Sequence, residues 1–298
     1  LEQYILELEK DIRIDEFTRG RFGNRILQYN NMMQLAHKYN LQTSCVDWEG
    51  NQIFENLVVE TPSDKKRVVV GLNEILFSKD LPDSSEYDYV IEAKGFNCPI
   101  HNSFYHLTEK DPRSFLKINN KYKKTLPSNI VNVGIHLRGT DKHRVSEGRE
   151  LHSSLYYRKA IKAVLEDYDK TKNIKFYIGT DDRLFNNYVD TTSYLKSEGL
   201  DYDIGSDNQF EDFSTLSECD YLIGSSSTFV VCAAFVGKKD KKIIHSDEWL
   251  QKSVKHGPWH PRRGPDVGDV REWQLTFDNF WIDLYNGGNE FYKMWKIV

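Results

Sequence analysis

The stretch Val131-Asn132-Val133-Gly134-Ile135-His136-Leu137-Arg138-Gly139-Thr140-Asp141-Lys142 changes character halfway along. Its first half is apolar with β-branched residues at Val131, Val133 and Ile135; its second half presents His136, Arg138 and Asp141. Such a run reads as a buried strand with polar side chains at its carboxyl end. In open α/β sheets ligands bind beyond the carboxyl ends of the strands. An arginine there can hold a phosphate through two parallel charge-assisted hydrogen bonds. The two-residue period of a strand puts His136 and Arg138 on one face.

Outward from this strand, the pattern alternates. Toward the C-terminus, residues 155–168 predict an amphipathic helix and 175–178 a strand running into Gly179-Thr180-Asp181-Asp182. A helix starting over 184–188, a strand over 202–204, a helix over 210–218 and a strand over 221–224 follow. That last strand opens into Ser225-Ser226-Ser227-Thr228 and an apolar segment over 229–236, with a further strand over 242–245. Strands alternating with helices predict a parallel, doubly wound sheet. Toward the N-terminus, residues 12–17 predict a strand, 19–24 a loop with Gly20 and Gly23, and 25–39 a helix with Ile26, Tyr29, Met32, Met33 and Ala36 at helical spacing. A strand, a glycine loop and a helix in that order make a natural anion site. Short strands are expected over 43–46, 67–70 and 89–93, and a short helix over 111–118. The basic stretch 121–128, with Pro127, predicts a linker between an N-terminal α/β domain, residues 1–125, and a C-terminal one, residues 126–298.

Composition narrows the classes. The 298 residues carry a formal net charge of −5, which gives no global basic excess for a nucleic-acid partner. Six Trp, 17 Tyr and 16 Phe supply faces that suit sugar rings as well as ordinary cores. Cys45, Cys98, Cys219 and Cys232 form no C-x-x-C pair and read as thiols of a reduced protein. No run approaches membrane-helix length, no signal peptide is recognisable, and no Asn-x-Ser/Thr acceptor occurs. A cytoplasmic or other reducing compartment is expected. Asp201-Tyr202-Asp203 has the letters of a metal-binding D-x-D but falls at a predicted strand edge, and residues 256–264 lack a third suitably spaced ligand, so no metal is expected. The aromatic-rich residues 277–295 read as a closing helical segment.

Three separated blocks resemble the fucosyltransferase superfamily, whose hallmark is an H-x-R-x-x-D-type motif and which includes α1,2-, α1,6- and protein O-fucosyltransferases. Gly20-Arg21-Phe22-Gly23-Asn24 looks like the glycine loop of the protein O-fucosyltransferases. His136-Leu137-Arg138-Gly139-Thr140-Asp141-Lys142 is similar to the α1,6 and rhizobial chitin-oligosaccharide enzymes. The third block runs through Thr180-Asp181-Asp182, Asp212, Leu216-Ser217, Asp220 and Ser225–Phe229. Many members carry a second arginine where this chain has Gly139, which leaves the subfamily open.

The resemblance implies a GT-B fold, two Rossmann-like domains facing a cleft, and an inverting, metal-independent glycosyltransferase. The donor would be GDP-fucose and the acceptor a glycan, with no cofactor. Arg138 would clamp the β-phosphate, and Gly23 and Asn24 would reach it from the N-terminal domain. Ser226, Ser227 and Thr228 would form a second phosphate seat. His136 and Asp212 would contact base or ribose, and Thr180 lies in the same donor-binding block. The base that deprotonates the acceptor is left between Glu147, Glu92 and none at all; Asp141 ranks below Arg138 as a catalytic group. Plain structural roles are also available: Asp141 and the Thr180–Asp182 run as helix caps, the serine run as a polar turn, His136 as a core residue. Two alternatives stay open: the same fold with another nucleotide sugar, such as UDP-xylose, or a non-catalytic glycan- or nucleotide-binding protein.

Overall fold

The computed structural model describes residues 11–14, 17, 21–39, 42–55, 57, 66–71, 87–92, 112–139, 153–224, 227–238, 241–245 and 295–297. The chain divides into two compact units, residues 1–121 and 122–298.

The first unit carries a four-stranded parallel sheet in the order β2-β1-β4-β3, built from β1 (Asp11–Ile14), β2 (Gln42–Cys45), β3 (Lys66–Gly71) and β4 (Tyr87–Glu92). Helix α1 (Phe22–Tyr39) links β1 to β2. It buries Phe22, Ile26, Leu27, Tyr29, Met32 and Ala36. Tyr29 and Phe17 pack on Trp48, with ring centroids 5.5 and 4.8 Å away. The helix begins at Phe22, not at Arg25 as the glycine pattern predicted, because the Arg21 carbonyl already accepts from Asn24 at 2.9 Å. The predicted helix over 111–118 is shortened to a 3₁₀ turn, Pro112–Phe115. Beyond it the backbone is captured by residues 53–55 past the short helix α2 (Gly50–Ile53): Glu55 donates to the Lys117 carbonyl at 2.7 Å and Asn119 to that of Ile53 at 2.8 Å.

The second unit is a six-stranded, wholly parallel sheet in the order β10-β9-β8-β5-β6-β7. Its strands are β5 (Ile130–Leu137), β6 (Asn173–Thr180), β7 (Asp201–Ile204), β8 (Tyr221–Ile223), β9 (Lys242–His245) and β10 (Trp295–Ile297). Strand order turns back between β5 and β8, the switch point of a doubly wound fold, which is where open α/β sheets bind their ligands. Residues Val131 to Leu137 are all buried, which explains why β5 reads as an unbroken run.

On one face, Val131, Val133, Ile135 and Leu137 pack against α3 (Ser154–Asp167) and α4 (Asn186–Ser197), chiefly through Tyr157, Ile161, Val164 and Leu195. The other face holds α5 (Gln209–Glu218), so close that a Cβ on Gly134 would lie 2.8 Å from Leu216 Cδ2. Helix α6 (Thr228–Val236) packs beside α5, with Phe213 and Phe229 edge to face at 5.4 Å. Its sequence is apolar all round, as suits a helix buried on most sides. Lys241, fully buried, donates to the carbonyls of Ser217 at 2.6 Å and Ala233 at 3.2 Å, near the ends of α5 and α6. There the helix dipoles favour a cation.

Of the segment predicted as a closing helix, Trp295 is described, and it starts β10, which pairs with β9. Backbone pairing along the open side of β9 outweighs the aromatic pattern there.

Candidate functional site

Asn132, Gly134 and His136 alternate with the core-facing residues of β5, so His136 lies on the α5–α6 side at the strand's carboxyl end. The imidazole is buried and stacks on Phe229, with centroids 5.2 Å apart and planes 24° from parallel. Phe229 sits in the first turn of α6, whose start is fixed by Ser227: its hydroxyl accepts from the Phe229 amide at 3.3 Å. A hydroxyl that accepts this bond still has a proton to donate. His136 from β5 and the first turn of α6 therefore meet at the switch point. Arg138, half-buried, follows β5 directly, and Thr228 opens α6.

Asp212 arrives from the first turn of α5. Its carboxylate lies over two glycines. Gly179 is the register partner of His136 on β6, and a Cβ there would be 3.6 Å from Asp212 Oδ2. Gly205 follows β7, and a Cβ there would be only 2.4 Å from Oδ1. The Ser206 amide donates to Oδ1 at 2.8 Å. Burial pushes the Asp212 carboxyl up to about 7; the Ser206 bond and the nearby Arg183 pull the other way without winning. Asp212 and His136 thus stand over the same end and the same face of the sheet.

The Thr180-Asp181-Asp182 run does not cap α4, which starts at Asn186 behind Phe185 with no side-chain cap. Thr180 and Asp182 close local turns instead, and Asp181 bonds across to the end of β5. Thr180 Oγ1 accepts from the Asp182 amide at 3.2 Å, and Asp182 Oδ1 from the Leu184 amide at 2.9 Å. Asp181 Oδ1 accepts from the Gly139 amide at 2.7 Å, tying this turn to the residue after Arg138. A Cβ on Gly139 would lie 2.7 Å from the Asp182 Cβ and 3.1 Å from that of Phe185. The second arginine common in the resembled family has no room to start here.

In the first unit, Gly23 and Asn24 lie in the first turn of α1, and the Asn24 amide is bonded to Arg21 rather than turned outward. Asp141, Glu147 and Ser226 lie outside the described residues, as do residues 256–264; for Glu92 the description stops at the backbone of β4. In the D-x-D, the Lys175 ammonium lies 3.7 Å from Asp201 and 3.0 Å from Asp203. Cys45, Cys219 and Cys232 are buried free thiols, and burial pushes Cys45 up to about 12. Among the described residues no helix is long and apolar enough to cross a membrane.

Sequence reasoning passed over Phe229 as a packing partner, Gly179 and Gly205 as the cradle of Asp212, Asp181 as a tie to Gly139, and Tyr156 and Tyr157. Tyr156 donates to the Gly224 carbonyl at 2.7 Å and lies 3.1 Å from that of Ile244; Tyr157 reaches the His136 carbonyl at 3.4 Å. Only the small residues carried a signal, as glycines at strand ends.

No protein-family model and no curated protein matches this sequence. Solved structures do match. An arginine-to-lysine variant of FUT1 from Arabidopsis thaliana, in complex with GDP, is 12% identical at a TM-score of 0.50, over 81% of this chain and 72% of that one. The fucosyltransferase NodZ from Bradyrhizobium is 11% identical at 0.49, over 77% and 93%. POFUT1 in complex with GDP is 11% identical at 0.47, over 76% and 95%. The switch-point geometry and the parallel sheets define a doubly wound α/β fold of the kind that binds ligands at strand ends. More narrowly, the likeness to FUT1 gives this chain the GT-B-type fold expected from its sequence.

Proposed function

We propose that this protein is a glycosyltransferase that transfers fucose from GDP-fucose to a glycan acceptor, with inversion and without a metal. The observation that carries this reading is the stacking of His136, at the end of β5 and two residues before Arg138, on Phe229 in the first turn of α6, at the switch point. A helix N-terminus with serine and threonine hydroxyls is a seat for phosphate, and an arginine beside it suits a diphosphate. The fold likeness to the Arabidopsis thaliana FUT1 variant solved in complex with GDP supports the choice of donor.

In this reading Arg138 stabilises the charge that develops on the β-phosphate as the sugar–phosphate bond breaks. Ser226, Ser227 and Thr228 hold the diphosphate, and His136 and Asp212 take the base or ribose. Ionised Asp212 accepts hydrogen bonds only, which fits a purine amino group. The acceptor hydroxyl is deprotonated by Glu147 or Glu92, or loses its proton late without a carboxylate base.

Calorimetric titration with GDP, UDP, GDP-fucose and UDP-sugars, with and without a chelator, tests the reading. GDP binding that ignores the chelator and prefers guanine to uracil is expected. A preference for UDP would overturn the donor, and no nucleotide binding would overturn the enzyme.

A further inference from the structure

We propose that Tyr156 and Tyr157 are positioning residues of the nucleotide site, Tyr156 holding the end of β8 and Tyr157 the end of β5, so that the pair fixes the two lips of the switch-point crevice. The inference rests on the reading that this crevice takes a nucleoside diphosphate.

The ladder between β5 and β8 ends at Ile135 and Ile223. One residue further on, His136 and Gly224 leave that pairing, and each carbonyl meets a tyrosine hydroxyl from α3: Gly224 at 2.7 Å, His136 at 3.4 Å. The tyrosines take over where the β5–β8 pairing stops, while His136 stays paired with Gly179 of β6 and the Gly224 amide with the Ile244 carbonyl of β9. His136 lies two residues before Arg138, and Gly224 lies three residues before Ser227. Neither tyrosine needs to touch the ligand, because each acts through the backbone of a lip.

The platform beneath them is anchored. Ser153 caps α3 by accepting from the Tyr156 amide, and Ser154 Oγ lies 3.0 Å from Asn187 Oδ1 and 2.5 Å from Asp190 Oδ2 of α4. The two rings pack edge to face at 4.9 Å, and both residues are buried, at 8% and 1% exposure. Phenylalanine would fill the same core space. What the hydroxyls add is a fixed distance to each lip, and a buried hydroxyl is retained at a cost unless it is bonded.

The test compares Y156F, Y157F and the double variant with Y221F. Tyr221 loses an equivalent hydroxyl bond, to Asp167 at 2.9 Å, but at the opposite end of β8 from Gly224. Three readouts are taken: the dissociation constant for GDP, the melting temperature, and deuterium exchange over residues 136–139 and 223–228. Expected are about tenfold weaker GDP binding in Y156F, a lesser loss in Y157F, melting temperatures like that of Y221F, and faster exchange confined to the two lips. If Y156F fails to fold, Y157F carries the same comparison. Tyrosine variants that bind GDP as Y221F does, while the wild type binds normally, overturn the positioning role alone. A wild type that binds no GDP overturns the nucleotide reading and this role with it.

Discussion

His136 and Phe229, 93 positions apart in sequence, stack with their ring centroids 5.2 Å from each other. The contact joins the end of β5 to the first turn of α6 across the switch point, and Phe213 braces Phe229 from the side at 5.4 Å. It makes one rigid aromatic wall from two elements that each lead into a candidate phosphate contact.

Replacing Phe229 with alanine should therefore act twice. Removing a half-buried ring should cost about 2 kcal/mol of stability. It should also free the imidazole and weaken GDP binding several-fold, whereas F229L should recover most of the stability and little of the affinity. Chemical denaturation and calorimetry on the two variants separate these effects.

Arg138→Ala should cut transfer sharply and leave the fold intact, because the residue is half-buried and follows the strand rather than packing its core. A loss of about 10²- to 10³-fold in turnover is expected where one donor to a developing oxyanion is removed. R138K should restore only part of it, since an ammonium cannot grip two phosphate oxygens in the fork geometry of a guanidinium. Steady-state kinetics with an unchanged circular-dichroism melt is the check; retained turnover would refute the role.

Gly139 is held by contact, not by backbone conformation. A methyl group there meets the Asp182 Cβ at 2.7 Å and must displace the turn whose Asp181 carboxylate accepts from the Gly139 amide. G139A should be destabilised by about 1–3 kcal/mol and lose activity beyond that, and G139R should not gain from the second arginine. Asp181→Asn keeps an acceptor oxygen for the Gly139 amide and should remain nearer wild type than D181A. Melting curves and turnover for the four variants decide it.

Much of this was legible in the sequence, for reasons that differ by element. β5 is buried on both faces, so its apolar run announces it. α3 has one face in the core and reads at helical spacing. The polar ends of β5 and the serine run were found because ligand chemistry uses charged and hydroxyl groups. The placement of Asp212 was not legible, since it depends on Gly179 and Gly205 leaving room at the ends of two other strands. Nor was the work of Tyr156 and Tyr157, because a tyrosine in an amphipathic stripe looks the same whether or not its hydroxyl has a distant carbonyl to meet. The Thr180–Asp182 run was expected as a helix cap; local turns that delay α4 to Asn186 leave Asp181 to bond Gly139 instead.

Lys241 gives a pH signature of stability. Burial holds its ammonium down to about 8, although the Cys219 neighbourhood pulls it up. Between that value and the ordinary lysine range the folded protein is neutral at this site and the unfolded chain charged. The unfolded state then binds more protons, so stability from this group rises with pH and is lost as pH falls through about 8. Relative to K241M, the wild type should gain up to about 3 kcal/mol between pH 8 and 10. Denaturant titrations of the pair across that window measure it.

Asp212 runs the other way and links stability to binding. Its folded carboxyl titrates near 7 because burial raises it, while in the unfolded chain it titrates near the ordinary aspartate value of 3.8. Between the two, the folded state holds the proton and the unfolded state does not. Its contribution is full below the unfolded value and is lost as pH rises through about 7, a change on the order of a few kcal/mol. Asp212→Asn should remove that slope and be the more stable protein at pH 8. Donor binding should show the opposite trend, since only the ionised carboxylate can accept from a purine amino group. GDP affinity should rise between pH 6 and 8 in the wild type and stay flat and weak in D212N. A wild-type affinity independent of pH across that range would remove Asp212 from the base contact and leave it as a buried support for the Gly205 turn.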